Sequence, residues 1–230
     1  MPLLRTLCNS PLRSGRACIG AIRLFIAAAV VSFWMLTGTS PARANDHTRP
    51  AVRSLLEIRR DKIVVQDYDL SCGAAALATL LTYQHDDPVS EREIARGLIQ
   101  RQEYLENPGL VQSRQGFSLL DLKRFVERRG YRGVGLGRLG TDDLVARAPA
   151  IVPVNLLGYS HFVVFRGMLE GDVLLADPAY GNRTMSRARF EQAWIKDAKL
   201  GRMAFVVVRR DGRPPPNRLE PRQRDFVLLR

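Results

Sequence analysis

Hydrophobic positions divide this chain into three regimes. Leu24 to Leu36 is a run of 13 almost purely apolar residues without a polar face. From Cys72 to Leu81 small and apolar residues fill nearly every position, with Leu77, Leu80 and Leu81 at three- and four-residue spacing, which predicts a buried helix. Two amphipathic helices follow. Ser90-Glu91-Arg92-Glu93 reads as a capping box opening one through about Gln100, and Ser118 caps another to Arg129, with Leu119, Leu122, Phe125 and Val126 on one face and Gly130 as its stop. A short helix capped by Thr141 ends before Pro149. Gln84 to Pro88 and Tyr104 to Gly116 read as connections. Beyond Pro149 short runs of Val, Ile, Leu and Phe between Gly, Pro and Asp predict strands at Ala150–Leu156, His161–Met168, Asp172–Ala176 and Arg202–Arg209, interrupted by a helix over Arg187–Trp194 capped by Ser186. Helices first and an antiparallel sheet second is an α+β layout, with no internal repeat and no second domain.

The apolar run changes the picture at the N-terminus. Four arginines and no acid precede it, and Ala42-Arg43-Ala44 after it is a small-x-small cleavage signal, so residues 1–44 read as a secretory signal peptide. The run is shorter than the ~20 residues of a spanning helix; an uncleaved anchor is the alternative. The mature chain then divides into an N-terminal segment (45–63), a domain (64–209) and a basic, Pro-rich tail (210–230) read as solvated rather than packed. Export predicts a periplasmic protein. Cleavage removes five arginines and no acids, lowering the net charge from +12 to +7. What remains is basic partly through the tail, and charge of that kind carries little specificity for lipid or an acidic partner. Nothing in the chain predicts nucleic-acid binding; membrane contact is expected only if the apolar run stays attached.

Cleavage also simplifies the cysteines. Cys8 and Cys18 leave, and Cys72 remains alone, unable to form an internal disulfide in an oxidising compartment. Its place in the first turn of a helix, over unpaired N–H groups and the positive end of the dipole, favours thiolate and so a nucleophile. The bland alternative is a small buried residue that packs the helix.

A catalytic thiol needs a base and a group to orient that base. Among three histidines, His47 lies in the loose terminus and His85 lies 13 residues past Cys72, about 20 Å along a helix. His161 is left. Glu170-Gly171 is the obvious turn between its strand and the next, and a hairpin folded about residues 169 to 170 brings His161 opposite Asp177 or Pro178. Asp177 can then hold one imidazole nitrogen and present the other to Cys72. Gln66, six residues before Cys72, can supply a side-chain amide to an oxyanion beside the Cys72 N–H. Each residue has an ordinary reading too: a core histidine, an Asp-Pro turn, an amide capping a loop.

Gln66, then Cys72-Gly73-Ala74, then His161-Phe162-Val163-Val164 and Asp177-Pro178 resemble the bacteriocin-processing peptidase family, papain-like cysteine proteases that cut secretion leaders after a double glycine. The similarity spans roughly Val64 to Val208. It implies a papain-like fold, Cys72 as nucleophile, His161 as general base and acid, Asp177 as orienting group, Gln66 as oxyanion donor, and no metal or cofactor. Many members carry an aspartate before the cysteine, where this chain has Ser71. The best-known members are fused to membrane exporters, whereas this chain looks like the stand-alone secreted members, some similar to the peptidase of functional-amyloid export systems. The expected activity is therefore a cysteine endopeptidase processing an exported protein or leader, with Gly-Gly as the candidate cleavage site and an export-system component as a candidate partner. A non-catalytic binding module of the same fold, a cysteine-dependent acyltransferase and a membrane-held structural protein are the rivals.

Overall fold

The computed structural model describes residues 53–156 and 158–228; the signal-peptide reading of residues 1–44 lies outside them. Among the described residues no helix is long and apolar enough to cross a membrane. A short helix α1 (Leu55–Arg59) precedes the central helix α2 (Cys72–Thr79), all eight of whose residues are buried. A helix apolar on every side belongs inside a core. It runs on into a wider π-helical turn, Leu80–Gln84. Thr79 ties the preceding extended segment to it, its hydroxyl accepting from the Val64 N–H at 2.9 Å and donating to the Ala75 carbonyl at 2.9 Å.

Helices α3 (Glu91–Ile99) and α6 (Leu119–Arg128) pack beside α2 as their apolar faces require, with Ile94, Leu98, Leu122 and Val126 fully buried. Ser118 forms a reciprocal capping box with Asp121. The box at Ser90 is only half made: its hydroxyl accepts from the Glu93 N–H, while the Glu93 carboxylate pairs with Arg129 instead. Tyr104–Gly116, expected as loop, contains α4 (Gln102–Glu106) and α5 (Leu110–Ser113), pinned by Tyr104, whose hydroxyl bonds the buried Asp121. The cap of α7 (Thr141–Val145) is Gly140 rather than Thr141, because Asp143 reaches back to the Gly140 N–H at 2.9 Å.

Six antiparallel strands form one sheet: β1 (Tyr131–Leu136), β2 (Ala150–Leu156), β3 (Tyr159–Leu169), β4 (Asp172–Asp177), β5 (Gly181–Ser186) and β8 (Ala204–Arg209), in the order β1-β8-β2-β3-β4-β5. Helix α8 (Arg187–Ala193) follows β5, and β6 (Lys196–Asp197) pairs with β7 (Gly201–Arg202) apart from the main sheet. Alternation along the central strands feeds two cores. Ile151, Val164 and Phe205 face α2, while Val152, Val163, Phe165 and Leu175 pack with Phe190 and Trp194 on the other side. Burial on both faces is why these strands read as continuous apolar runs. β1 and β5 carried no such signal. β1 has glycine at 133 because a Cβ there would lie 2.9 Å from the Phe205 ring and 3.0 Å from the Lys123 backbone.

The expectation that residues 210–230 stay unpacked is corrected by the structure. Leu219 and Phe226 are buried, the latter on α9 (Gln223–Leu228), and the Arg218 N–H bonds the Tyr83 carbonyl at 3.0 Å. The buried Arg166, at a bulge in β3, donates to the Leu219 carbonyl at 2.9 Å and lies 3.6 Å from Asp225. A tail can be basic overall and still deliver two apolar anchors and a counter-charge.

His85 is buried against Tyr131, with ring centroids 5.0 Å apart. Burial holds its pKa below the ordinary 6.5, Arg209 adds in the same sense and Asp87 opposes. The folded state therefore keeps His85 neutral while the unfolded chain takes up a proton, so its stability contribution is complete above about pH 6.5 and is lost as pH falls below it. Urea midpoints should drop between pH 7 and 5, and His85→Leu should flatten that limb; an unchanged slope in the variant would assign it to other groups.

Candidate active site

The Cys72 helix begins where the chain needs it. Ser71 is its N-cap residue, Leu70 before it takes a left-handed backbone (φ 62°), and the loop turns sharply into the first turn. The backbone N–H of Phe162, next in chain to His161, donates to Cys72 Sγ at 3.5 Å, which fastens the end of β3 to the start of α2. Cys72 and His161 line one cleft of about 330 Å³, together with Phe117, Pro153, Ser160 and Phe162.

Asp177 stands behind the imidazole. Its Oδ1 lies 3.4 Å from His161 Nε2, an ion-pair distance rather than a tight hydrogen bond, and accepts from the Ala179 N–H at 3.0 Å. Oδ2 lies 3.5 Å from Arg183. With Nε2 facing the carboxylate, Nδ1 is the nitrogen left for the thiol. Burial raises the Asp177 carboxyl, but the His161 imidazole, the Ala179 N–H and Arg183 together outweigh it and hold the group below the usual carboxylate value.

The hairpin register differs from the expected one. Glu170 and Gly171 both have positive φ, so the turn is two residues and Leu169 faces Asp172; a bulge at Arg166 then brings Val164 opposite Ala176. Asp177 falls one step past that last pair, level with Val163, and meets His161 diagonally instead of directly across. The meeting survives because strand alternation puts residues 161 and 163 on one face.

Cys72 departs from expectation in its electrostatics. Its thiol lies above the ordinary value of 9.0, with burial the largest cause and Asp177 adding to it, although the N–H groups of Phe162, Gly73 and Cys72 itself pull the other way. The helix N-terminus alone does not bring this thiol below its ordinary value. Gln66 is half-buried and does not line the cleft. Its Nε2 donates weakly to the Tyr68 carbonyl at 3.5 Å, and its backbone N–H bonds the Pro178 carbonyl at 2.9 Å, joining the segment before Cys72 to the Asp177-Pro178 turn. Arg183 carried no sequence signal, and Glu91 was legible only as part of a helix start. His85 lies in the core away from this cleft, and His47 lies outside the described residues. Among the described residues no group of three His, Cys, Asp or Glu side chains could hold a metal ion.

Residues 60–198 match the Peptidase C39 family. The chain is 38% identical over 144 residues to a protein of Pseudomonas fluorescens named "Probable functional amyloid protease FapD", a match covering 62% of this chain and 61% of that one. A protein of the same name from Pseudomonas aeruginosa is 36% identical, with 62% and 61% covered. The chain thus spans about three fifths of the length of these curated relatives. In fold it is similar to the peptidase domain of Streptococcus ComA, a bi-functional ABC transporter involved in quorum sensing, with a TM-score of 0.50 at 19% identity, covering 65% of this chain and 98% of that one.

Proposed function

We propose, for a chain that belongs to the Peptidase C39 family, a cysteine endopeptidase that works through Cys72, His161, Asp177 and Gln66. The observation that carries this reading is the shared cleft of Cys72 and His161, with Asp177 3.4 Å behind the imidazole. His161 takes the thiol proton, and the Cys72 thiolate adds to the scissile carbonyl carbon. The charge that forms on oxygen is met by the Cys72 N–H and by Gln66 Nε2, whose weak bond to Tyr68 is easily exchanged. Imidazolium at His161 protonates the departing amine. Water, deprotonated by the same imidazole, then splits the thioester and returns the thiol.

The substrate in this reading is an exported protein cut beside small residues such as Gly-Gly, and the name borne by the Pseudomonas relatives points to a functional amyloid or its export partner. Removal of residues 1–44 would release the enzyme into the periplasm, with Asn45 as its first residue. The test is mass spectrometry of peptides carrying a Gly-Gly pair, incubated with the wild type and with Cys72→Ser. Two products whose masses sum to substrate plus one water, formed by the wild type alone, support hydrolysis. A product joined to an added amine instead supports acyl transfer, and intact peptide throughout supports a binding module.

Asp177 separates its charge from its geometry in this scheme. Asp177→Asn keeps an acceptor for the Nε2–H but loses the charge, and kcat should fall about tenfold; Asp177→Ala loses both and should cost roughly 10²–10³-fold, with KM little changed in either. Equal losses in the two variants would assign the whole effect to the charge, and an unchanged kcat in both would remove Asp177 from the chemistry.

A further inference from the structure

Glu91 is a buried carboxylate, 4% exposed, at the start of α3. A charge in that position is costly unless hydrogen-bond donors or an opposite charge meet it. Among the described residues it is in no ion pair; its partners all belong to one loop. It accepts from the Asp67 N–H at 2.9 Å and the Tyr68 N–H at 3.4 Å, and it bonds the Ser71 hydroxyl, whose one proton it shares with the Tyr68 carbonyl. The next residue, Arg92, holds the Tyr68 side chain, donating to its hydroxyl at 2.7 Å with the guanidinium 5.7 Å from the ring centre. That loop also contains Leu70 in its left-handed conformation, which a leucine adopts only under constraint. On its other side Gly116 of the cleft wall leaves no room for a side chain, since a Cβ there would lie 2.9 Å from the Leu70 carbonyl.

The loop joins Gln66 to Cys72. We infer that Glu91 is a positioning residue: by gathering three donors of the Asp67–Ser71 loop onto one carboxylate, it fixes the spacing of the Gln66 amide and the Cys72 N–H that receive the oxyanion. This rests on the proposed peptidase reading. A carboxylate suits the task because it only accepts, whereas a glutamine would turn an NH₂ group toward one of these donors. It also accounts for Ser71 at the position before the nucleophile, where a second carboxylate would face Glu91.

The experiment uses two probes of Cys72 that differ in whether they form an oxyanion. With iodoacetamide the sulfur bonds the CH₂ carbon as iodide leaves, and no oxyanion forms. Acetyl-glycyl-glycinal accepts the Cys72 thiolate at its aldehyde carbon, and the former carbonyl oxygen carries the charge into the hole; its affinity is read from protection against alkylation. Glu91→Gln should weaken the aldehyde roughly ten- to a hundredfold and leave the alkylation rate within about twofold, with Glu91→Asp recovering part of the loss because it keeps the charge. Ser71→Ala, which leaves both backbone N–H bonds to Glu91 in place, should show a smaller change of the same kind and serves if Glu91→Gln does not fold. A wild type that binds the aldehyde, with variants equally tight at equal folded fraction, overturns the role of Glu91 alone. A parallel loss with both probes also overturns it, since the whole site has then shifted. A wild-type Cys72 inert to both probes overturns the peptidase reading and this one with it.

Discussion

His161→Ala is expected to slow alkylation of Cys72 by iodoacetamide at pH 6 by roughly ten- to a hundredfold. Burial and Asp177 hold the isolated thiol above 9.0, so at pH 6 fewer than about one molecule in a thousand would be thiolate without a cation to stabilise it. In the proposed mechanism His161 takes the thiol proton and keeps the sulfur reactive at this pH. The loss is smaller than the thousandfold change in thiolate because a more basic thiolate is also intrinsically more nucleophilic. The pH profiles carry the same information. The wild-type rate should be nearly flat from pH 6 upward, whereas the variant's rate should climb with pH through the titration of an isolated thiol. Two superimposable profiles would remove His161 from the chemistry, and inert thiols in both would favour the binding module.

The second large effect concerns stability. Arg166→Ala should lower unfolding free energy by about 3–5 kcal/mol. The guanidinium is 4% exposed and donates to the Leu219 carbonyl and to Asn182 Oδ1, each at 2.9 Å. Asn182 in turn gives its amide hydrogens to the carbonyls of Arg59 and Asp61. One buried cation therefore gathers the N-terminal segment, the β5 edge and the C-terminal segment. Its removal leaves the Leu219 carbonyl and the Asn182 amide oxygen without this donor, and the half-buried Asp225 with only the Arg222 N–H and Arg224. Urea denaturation gives the magnitude, and limited proteolysis should cut the variant within residues 210–222 well before the wild type does. A change under about 1 kcal/mol with unaltered cleavage would show that the tail is held by Leu219 and Phe226 alone.

Much of the fold was legible in the order of residues. The unbroken apolar stretch after Cys72 marked a buried helix, Ser118 marked a cap, and the Val- and Ile-rich runs after Pro149 marked strands. Cys72, His161, Asp177 and Gln66 were nameable as candidates because residue type and spacing restrict the chemistry before any coordinate is known. β1 and β5 were not legible. Tyr-Arg-Gly-Val-Gly-Leu and Gly-Asn-Arg-Thr-Met-Ser have weak intrinsic strand preference and become strands because a neighbour offers them a ladder.

Local sequence determines what a segment prefers by itself, and that was enough for the central helix, the central strands and the short list of reactive groups. Only the tertiary structure decided how Asp177 meets His161, since a two-residue turn and a bulge at Arg166 shift the register. It also decided that burial raises the Cys72 thiol despite its place at a helix start, that Glu91 lies beneath the loop before the nucleophile, and that the arginine-rich tail packs. Each of these depends on groups distant in sequence: Phe162 against Cys72, Glu91 against Asp67 and Ser71, Arg166 against Leu219. Dielectric surroundings and hydrogen-bond partners are properties of the assembled interior, and no stretch of chain carries them before it folds.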